Sequence, residues 1–103
     1  MKMTFDGRVA IVTGAGGGLG RAYAMLLAQR GARVLVNDLG GDFMGQGADS
    51  SYAAAVPDEL RGAGGVAIAN GDSVAGREGA DRIVAQAMEA WGRVDILINN
   101  AGL

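Results

Sequence analysis

The stretch that decides the fold follows the apolar run Val9–Val12 and reads Thr13-Gly14-Ala15-Gly16-Gly17-Gly18-Leu19-Gly20. Five of its residues are glycines, out of 19 in the whole chain. A glycine cluster between a strand and a helix permits a sharp turn and leaves backbone N–H groups uncovered by any Cβ atom. Those groups, at the positive end of the helix dipole, can bind a pyrophosphate. A flexible turn without a ligand is the alternative that the glycines alone leave open.

Strand and helix patterns alternate along the rest of the chain. Four short apolar runs rich in β-branched residues predict buried strands: Val9–Val12, Val34–Val36, Val66–Ala69 and Val94–Ile98. Helical spacing of apolar residues predicts helices over Leu19–Arg30 and Arg77–Trp91. This order predicts an α/β protein with a doubly wound parallel sheet of the Rossmann type, in which helices cover both faces as three α/β/α layers.

Two regions need more specific interpretations. In the second helix, Val84, Ala87, Met88 and Trp91 form one stripe that we expect to pack in the core, and Ser73 is a candidate cap. The segment Leu39–Leu60 is less regular, because its glycines favour a loop whereas Ala53–Ala55 favour a helix. Pro57 then marks either a kink or the first turn of a short helix that carries Asp58 and Glu59.

The composition excludes several classes of function. The chain has 103 residues, a size typical of one domain, with 50% hydrophobic residues and a net charge of −2. No basic run favours nucleic acid or an anionic membrane as a partner, and no apolar run could span a bilayer. The absence of Cys and His excludes disulfides, thiolate or imidazole metal sites and a Ser-His-Asp triad. We expect a cytoplasmic protein. We also expect no metal, since a solvated loop explains Asp38 and Asp42 better than a cation site.

Asp38 is the candidate residue for choosing the cofactor. It ends the second predicted strand, 20 residues beyond Gly18. A carboxylate there can accept hydrogen bonds from an adenosine ribose and repels a 2′-phosphate, which predicts NAD rather than NADP. No Lys or Arg follows within Leu39–Gly45, and the first basic residue after the glycines is Arg21. The alternatives are a solvated carboxylate at Asp38 and, for Arg21, either a phosphate contact or an exposed helix charge.

Three motifs give the chain a family resemblance. Gly14, Gly18 and Gly20 fit the pattern Thr-Gly-x-x-x-Gly-x-Gly, Asp72 follows the third strand, and Asn99-Asn100-Ala101-Gly102 follows the fourth. Together they resemble the short-chain dehydrogenase/reductase family. The stretches Val36–Phe43 and Ala69–Val74 are similar to the (3R)-hydroxyacyl-CoA dehydrogenase branch of that family.

The resemblance implies a set of cofactor-binding residues and their roles. The set is Gly14, Gly18, Leu19, Gly20, Asp38, Asp72, Ser73, Val74, Asn100, Ala101 and Gly102. By resemblance, Leu19 backs the phosphate on the nicotinamide side and Asp38 accepts the ribose hydroxyls. Ser73 and Val74 frame the adenine beside Asp72. The backbone of Asn100 contacts the cofactor, while Asn99 braces the sheet.

The family's catalytic pair is a Tyr and a Lys four residues later, which this chain does not contain. The fourth residue after Tyr23 is Leu27, the fourth after Tyr52 is Val56, and Lys2 is the only lysine. We therefore assign no catalytic residue and expect 1–103 to be the NAD-binding, N-terminal part of a longer dehydrogenase domain, truncated after the fourth strand.

The resemblance also implies partners for the complete enzyme. The expected substrate is a small alcohol or ketone, plausibly a 3-hydroxyacyl-CoA, and the expected assembly is a homo-oligomer. An apolar fourth strand at the sheet edge, protected only by Asp95, would favour pairing with another chain. The alternative is a non-catalytic dinucleotide-binding or self-associating module. A P-loop nucleotidase is disfavoured, because no Gly-Lys-Ser/Thr follows the glycines.

Overall fold

The computed structural model describes residues 4–14, 18–38, 50–71 and 76–99, with side chains from Val56 onward in the third range. Strands and helices alternate strictly along these ranges. In chain order the elements are β1 (Val9–Thr13), α1 (Gly18–Gln29), β2 (Arg33–Asn37), α2 (Ser50–Gly62), β3 (Val66–Asn70), α3 (Arg77–Trp91) and β4 (Ile96–Asn99). In this part of the chain, no helix has the length and apolar character needed to cross a membrane.

The four strands form one parallel sheet in the order β3-β2-β1-β4. The register aligns the last residues of all strands, since Thr13 pairs with both Asn37 and Asn99, and Asn37 pairs with Asn70. The chain builds outward from β1 to β3 and then returns to the other side of β1. In such sheets, ligands bind outside the carboxyl ends of the strands, near the point where the winding reverses.

Helices cover both faces of the sheet, which confirms the three-layer Rossmann architecture. On one face, Ala10, Val12 and Val34 pack with residues of α1 and α2. On the other face, Val9, Ile11 and Leu35 pack with Ile83 and Ala87 of α3. Every residue of β1 is buried, so this strand is central to both cores. Burying one Val or Ile side chain contributes about 1.5–3 kcal/mol.

The fourth strand begins at Ile96 rather than at the predicted Val94. The reason is that a side chain takes the place of a backbone carbonyl as hydrogen-bond acceptor. The Asp95 carboxylate accepts a hydrogen bond of 2.8 Å from the Val9 amide. The Asp95 amide in turn donates to the Val9 carbonyl at 2.9 Å. Arg93 holds the same carboxylate through two hydrogen bonds of 2.8 and 2.7 Å. Apolar composition alone could not reveal that the aspartate replaces a strand residue here.

The third helix has the predicted bounds but a different buried stripe. Gly79, Ile83 and Ala87 are buried, and Trp91 packs partly against the same core. Val84 and Met88, which we expected in the core, are each 46% exposed. The buried stripe recurs every four residues at Gly79, Ile83 and Ala87, and Val84 and Met88 each lie one position further around the helix. The N-cap is Gly76, without a side-chain hydrogen bond, rather than Ser73, which lies outside the described residues.

Pro57 lies inside α2, with seven helical residues before it. The interpretation of Pro57 as the first turn of a short helix is therefore wrong. A proline inside a helix costs about 3 kcal/mol because it cannot donate its backbone hydrogen bond. Val56, Pro57 and Leu60 are almost fully buried, so their packing offsets this cost. Residues 39–49 of the predicted loop lie outside the described part.

Gly31, in the turn between α1 and β2, provides a direct test of this fold. Its φ is +97°, and an added Cβ would overlap the Asp6 carboxylate and lie 3.2 Å from the Asp6 Cα. We expect Gly31→Ala to lower the free energy of unfolding by about 1–3 kcal/mol in urea denaturation. Gly62→Ala is the matched control, because nothing lies within 4 Å of its added Cβ. Equal stability of the two variants would contradict the turn geometry.

The ion pair at Asp95 predicts a defined pH dependence. The pKa of Asp95 is lowered, first by the hydrogen bond from Arg93 and then by the one from the Val9 amide. A lowered folded-state pKa adds stability that is complete above the ordinary Asp value, about pH 4, and is lost as the pH falls through the folded-state pKa. Asp95→Asn should therefore reduce stability at pH 7 and weaken its decline in acid, as measured by urea denaturation from pH 7 to pH 2.5. A parallel decline in both proteins would contradict the assignment.

Candidate functional site

The two described glycines between β1 and α1 have backbone conformations that favour glycine. Gly14 has φ +63° and Gly18 has φ +57°, a region that L side chains rarely adopt. Gly18 is the first residue of α1, and no atom lies within 4 Å of the position its Cβ would occupy. Leu19 is exposed and Gly20 is buried. Among the described residues, a side chain added at Gly18 would therefore meet open space.

Each of the four strands ends in a polar residue, and these four residues form one row across the sheet. The register places Asn70, Asn37, Thr13 and Asn99 side by side. Laterally paired residues of a sheet point to the same face. In this sheet that face is covered by α3, because Ile11 and Leu35, two residues before Thr13 and Asn37, pack against it.

Three amide side chains connect part of this row to α3. Asn37 Nδ2 donates to Asn70 Oδ1 at 2.8 Å, and Asn70 Nδ2 donates to Gln86 Oε1 at 2.6 Å. Gln86 Nε2 then donates to the Ala69 carbonyl at 3.0 Å. Asn37 and Asn70 are 3% and 5% exposed, so these bonds satisfy polar groups that would otherwise be costly to bury. We call Asn37, Asn70 and Gln86 the amide relay.

Thr13 and Asn99 hold the other part of the row, where the winding reverses. The Thr13 hydroxyl lies 3.2 Å from Asn99 Oδ1 and 3.4 Å from the Ile98 carbonyl, and donates toward them. This bond agrees with the bracing role that the resemblance implies for Asn99. Both side chains line a cavity of about 310 Å³ between the sheet and α3, whose other walls include Ile83 and Leu97.

Asp38 directly follows β2 at the same edge of the sheet. Its backbone amide donates to the Asn70 carbonyl at 3.0 Å, which extends the β2–β3 ladder by one bond. The residue is half-buried. The position of Asp38 is thus tied to the end of β3, and through Asn70 to the amide relay.

Arg21 pairs with α2. Its Nε donates to Glu59 Oε1 at 3.0 Å and its Nη2 contacts Glu59 Oε2. The hydrogen bond from Arg21 lowers the pKa of Glu59, and the same bond raises the pKa of Arg21. Both side chains are exposed, so the pair adds little stability. Of the two interpretations of Arg21, the exposed helix charge is the one that this pairing favours.

The structure brings five of the predicted site residues to one edge of the sheet. These are Gly14, Gly18, Leu19, Gly20 and Asp38. The other six lie outside the described residues: Asp72, Ser73, Val74, Asn100, Ala101 and Gly102. Within the described ranges there is no group of three or more acidic, Cys or His residues that could hold a metal ion.

The sequence analysis missed the amide relay as a unit. A usable signal was present, because an amide or hydroxyl residue follows the last apolar position of all four strands. Polar residues at matched strand ends predict a polar row. Nothing comparable pointed to Gln86, which is one of many polar residues on α3 and depends on the tertiary fold for its role.

Comparison with known sequences gives a consistent set of relatives. A family model described as short chain dehydrogenase matches residues 8–103. Peroxisomal multifunctional enzyme type 2 of Mus musculus is 56% identical over 101 residues, covering 98% of this chain and 13% of that protein. Peroxisomal hydratase-dehydrogenase-epimerase of Saccharomyces cerevisiae is 52% identical over 102 residues, covering 99% of this chain and 11% of that protein. The chain thus spans a small part of these relatives.

Solved structures agree with the sequence relatives. A short chain dehydrogenase from Mycobacterium avium superposes with a TM-score of 0.85 at 47% identity, over 98% of this chain and 35% of that one. A 7α-hydroxysteroid dehydrogenase, complexed with NADH and 7-oxo glycochenodeoxycholic acid, superposes with a TM-score of 0.84 at 35% identity. This match covers 97% of this chain and 36% of that one.

The bond between Thr13 and Asn99 is testable by a near-isosteric change. Thr13→Val removes the hydroxyl and leaves the Asn99 amide without that donor. We expect the free energy of unfolding to fall by about 1 kcal/mol in urea denaturation. Thr4→Val is the matched control, because Thr4 is exposed at the other end of the sheet. If Thr13→Val lowers the free energy of unfolding no more than the control does, the bond does not stabilise the contact between β1 and β4.

Proposed function

Because the chain belongs to the short chain dehydrogenase family, we propose that it forms the NAD-binding part of an oxidoreductase. Residues 1–103 would serve as the cofactor-binding portion of a longer dehydrogenase domain. When bound, NAD would accept or supply a hydride at its nicotinamide ring, exchanging it with a secondary alcohol or ketone. The residues described here would bind and orient the other half of the cofactor.

The glycine that begins α1 is the single observation that carries this proposal. A pyrophosphate needs backbone N–H donors that no side chain covers, and Gly18 has no side chain and no described atom within 4 Å of the position of an added Cβ. Gly14, directly after β1, has a positive φ that glycine adopts readily. Leu19, exposed beside Gly18, would back the phosphate on the nicotinamide side. These features support a dinucleotide as the ligand.

The choice of NAD over NADP rests on charge at the end of β2. Asp38 would accept the adenosine ribose hydroxyls, and its carboxylate would repel a 2′-phosphate. Arg21, the basic residue nearest the glycines in the sequence, already has Glu59 as its ionic partner. This pairing supports the proposal, because a 2′-phosphate would need an available cation. Asp72, Ser73 and Val74 would bind the adenine, and Asn100, Ala101 and Gly102 would continue the cofactor site beyond Asn99.

A 3-hydroxyacyl-CoA is the substrate class that we propose for the complete enzyme. The similarity of Val36–Phe43 and Ala69–Val74 to the (3R)-hydroxyacyl-CoA dehydrogenase branch supports this class. One of the relatives is named a hydratase-dehydrogenase-epimerase, which supports a dehydrogenase activity for the complete enzyme. The Tyr-x-x-x-Lys pair of the family is absent from residues 1–103. We therefore expect these residues alone to bind the cofactor without turning over an alcohol.

Self-association is a second candidate function, favoured by the exposed edge of the sheet. In the described part of the chain, β4 has only β1 as a neighbour, and Leu97 is 62% exposed. An apolar edge strand of this kind favours pairing with another chain. A homo-oligomer would cover it. The predicted cytoplasmic location gains no support from the relatives, two of which are named as peroxisomal.

The role of Asp38 predicts the effect of removing its charge. Asp38→Asn should weaken NAD binding roughly tenfold, because hydrogen bonds to a carboxylate are worth more than those to an amide. NADP binding should become tighter as the repulsion disappears. Isothermal titration with each cofactor measures both constants.

Asp6→Asn is the control for that titration. It makes the same change of charge at the opposite end of the sheet, before β1. Unchanged NAD and NADP constants in Asp38→Asn, matching those of the control, would contradict the proposed selection of NAD.

A further inference from the structure

The amide relay connects the two strand ends that frame the adenosine half of the proposed site. One end is Asn37, directly before Asp38, and the other is Asn70, two residues before Asp72. The relay begins at Asn37, passes through Asn70 and ends on Gln86 of α3. A helix on the face of the sheet is thereby joined to the residues that precede the cofactor-selecting carboxylate.

Asn70 has a double function in this arrangement. Its side chain accepts from Asn37 and donates to Gln86, while its backbone carbonyl accepts the Asp38 amide at 3.0 Å. The same carbonyl lies 3.4 Å from Asn37 Nδ2. One residue therefore holds both the Asn37 side chain and the Asp38 amide, and its own side chain is held by Gln86.

Gln86 fixes Asn70 from two directions. It accepts from the Asn70 side chain at 2.6 Å and donates to the Ala69 carbonyl at 3.0 Å. These two bonds hold both the side chain and the backbone at the end of β3. Because Gln86 lies on α3, it can set the position of this strand end without occupying the space where a cofactor would bind.

We propose that Gln86 is a positioning residue for cofactor selection: through Asn70 it holds the Asp38 carboxylate where it favours NAD over NADP. The inference rests on the proposed function, because it concerns the same site. A carboxylate held in place accepts ribose hydroxyls at little further entropic cost. In the same position it lies close to the place of a 2′-phosphate and repels it. A carboxylate that moves loses both effects, so the loss of Gln86 reduces discrimination.

The decisive experiment is a double-mutant cycle of Gln86→Met with Asp38→Asn, measured as the ratio of the NADP and NAD dissociation constants. Met preserves the length of the side chain and removes both hydrogen bonds. We expect Gln86→Met to lower the ratio about tenfold, the effect of roughly one hydrogen bond to a charged group. In the Asp38→Asn background, Gln86→Met should leave the ratio unchanged. Gln29→Met, on the exposed side of α1, is the matched control.

A second measurement does not depend on any cofactor. Amide hydrogen exchange of the protein without ligand should show lower protection of the Asp38 N–H in Gln86→Met than in Gln29→Met. Thermal unfolding of each variant shows that it remains folded. Reduced protection together with a reduced ratio supports the positioning role.

Other results would overturn the inference. If Gln86→Met lowers only the unfolding temperature and leaves the ratio and the Asp38 protection unchanged, the relay is a structural brace alone. An equal fall of the ratio in both Asp38 backgrounds would show that Gln86 does not act through Asp38. In either case the wild-type protein still binds NAD, and the proposed function stands. If the wild-type protein binds neither cofactor, the proposed function fails and the inference fails with it.

Discussion

The complete burial of β1 is the constraint on which the rest of the structure depends. This strand is bonded to a parallel neighbour on each side and packs into a hydrophobic core on each face. Its position fixes where Gly14 leaves the sheet and where α1 begins at Gly18. The register then brings the ends of the other three strands to the same edge. The edge that we propose for binding thus follows from the packing of a short apolar strand.

Much of this architecture could be predicted from the sequence, because buried parallel strands and their helices have strong local signals. The bounds of α3 were predicted correctly, and those of β1 and α1 to within one residue. The misjudged details depended on contacts distant in sequence. Asp95 replaces a strand residue only because Val9 lies beside it, and Pro57 is tolerated inside α2 because its surroundings bury it.

The site shows the same division between local and distant information. Gly14, Gly18 and Asp38 could be selected as candidates from spacing, since the pyrophosphate and ribose of the proposed cofactor would require those residue types at those places. The amide relay could not, because Gln86 meets Asn70 only after α3 packs on the sheet. Neutral amides suit this buried position: each can donate and accept at once, and none carries a charge that would interact with the phosphates of the proposed cofactor.

The most direct test of the account is an NMR titration of the isotopically labelled protein with NAD. The account predicts saturable shifts of the Gly18, Leu19 and Gly20 amide signals, because these groups open the helix that would bind the pyrophosphate. The amides of Gly64 and Gly92, in turns away from that helix start, should not move. Saturable binding that leaves the signals of Gly18 to Gly20 unchanged, or no binding at all, would contradict the central claim.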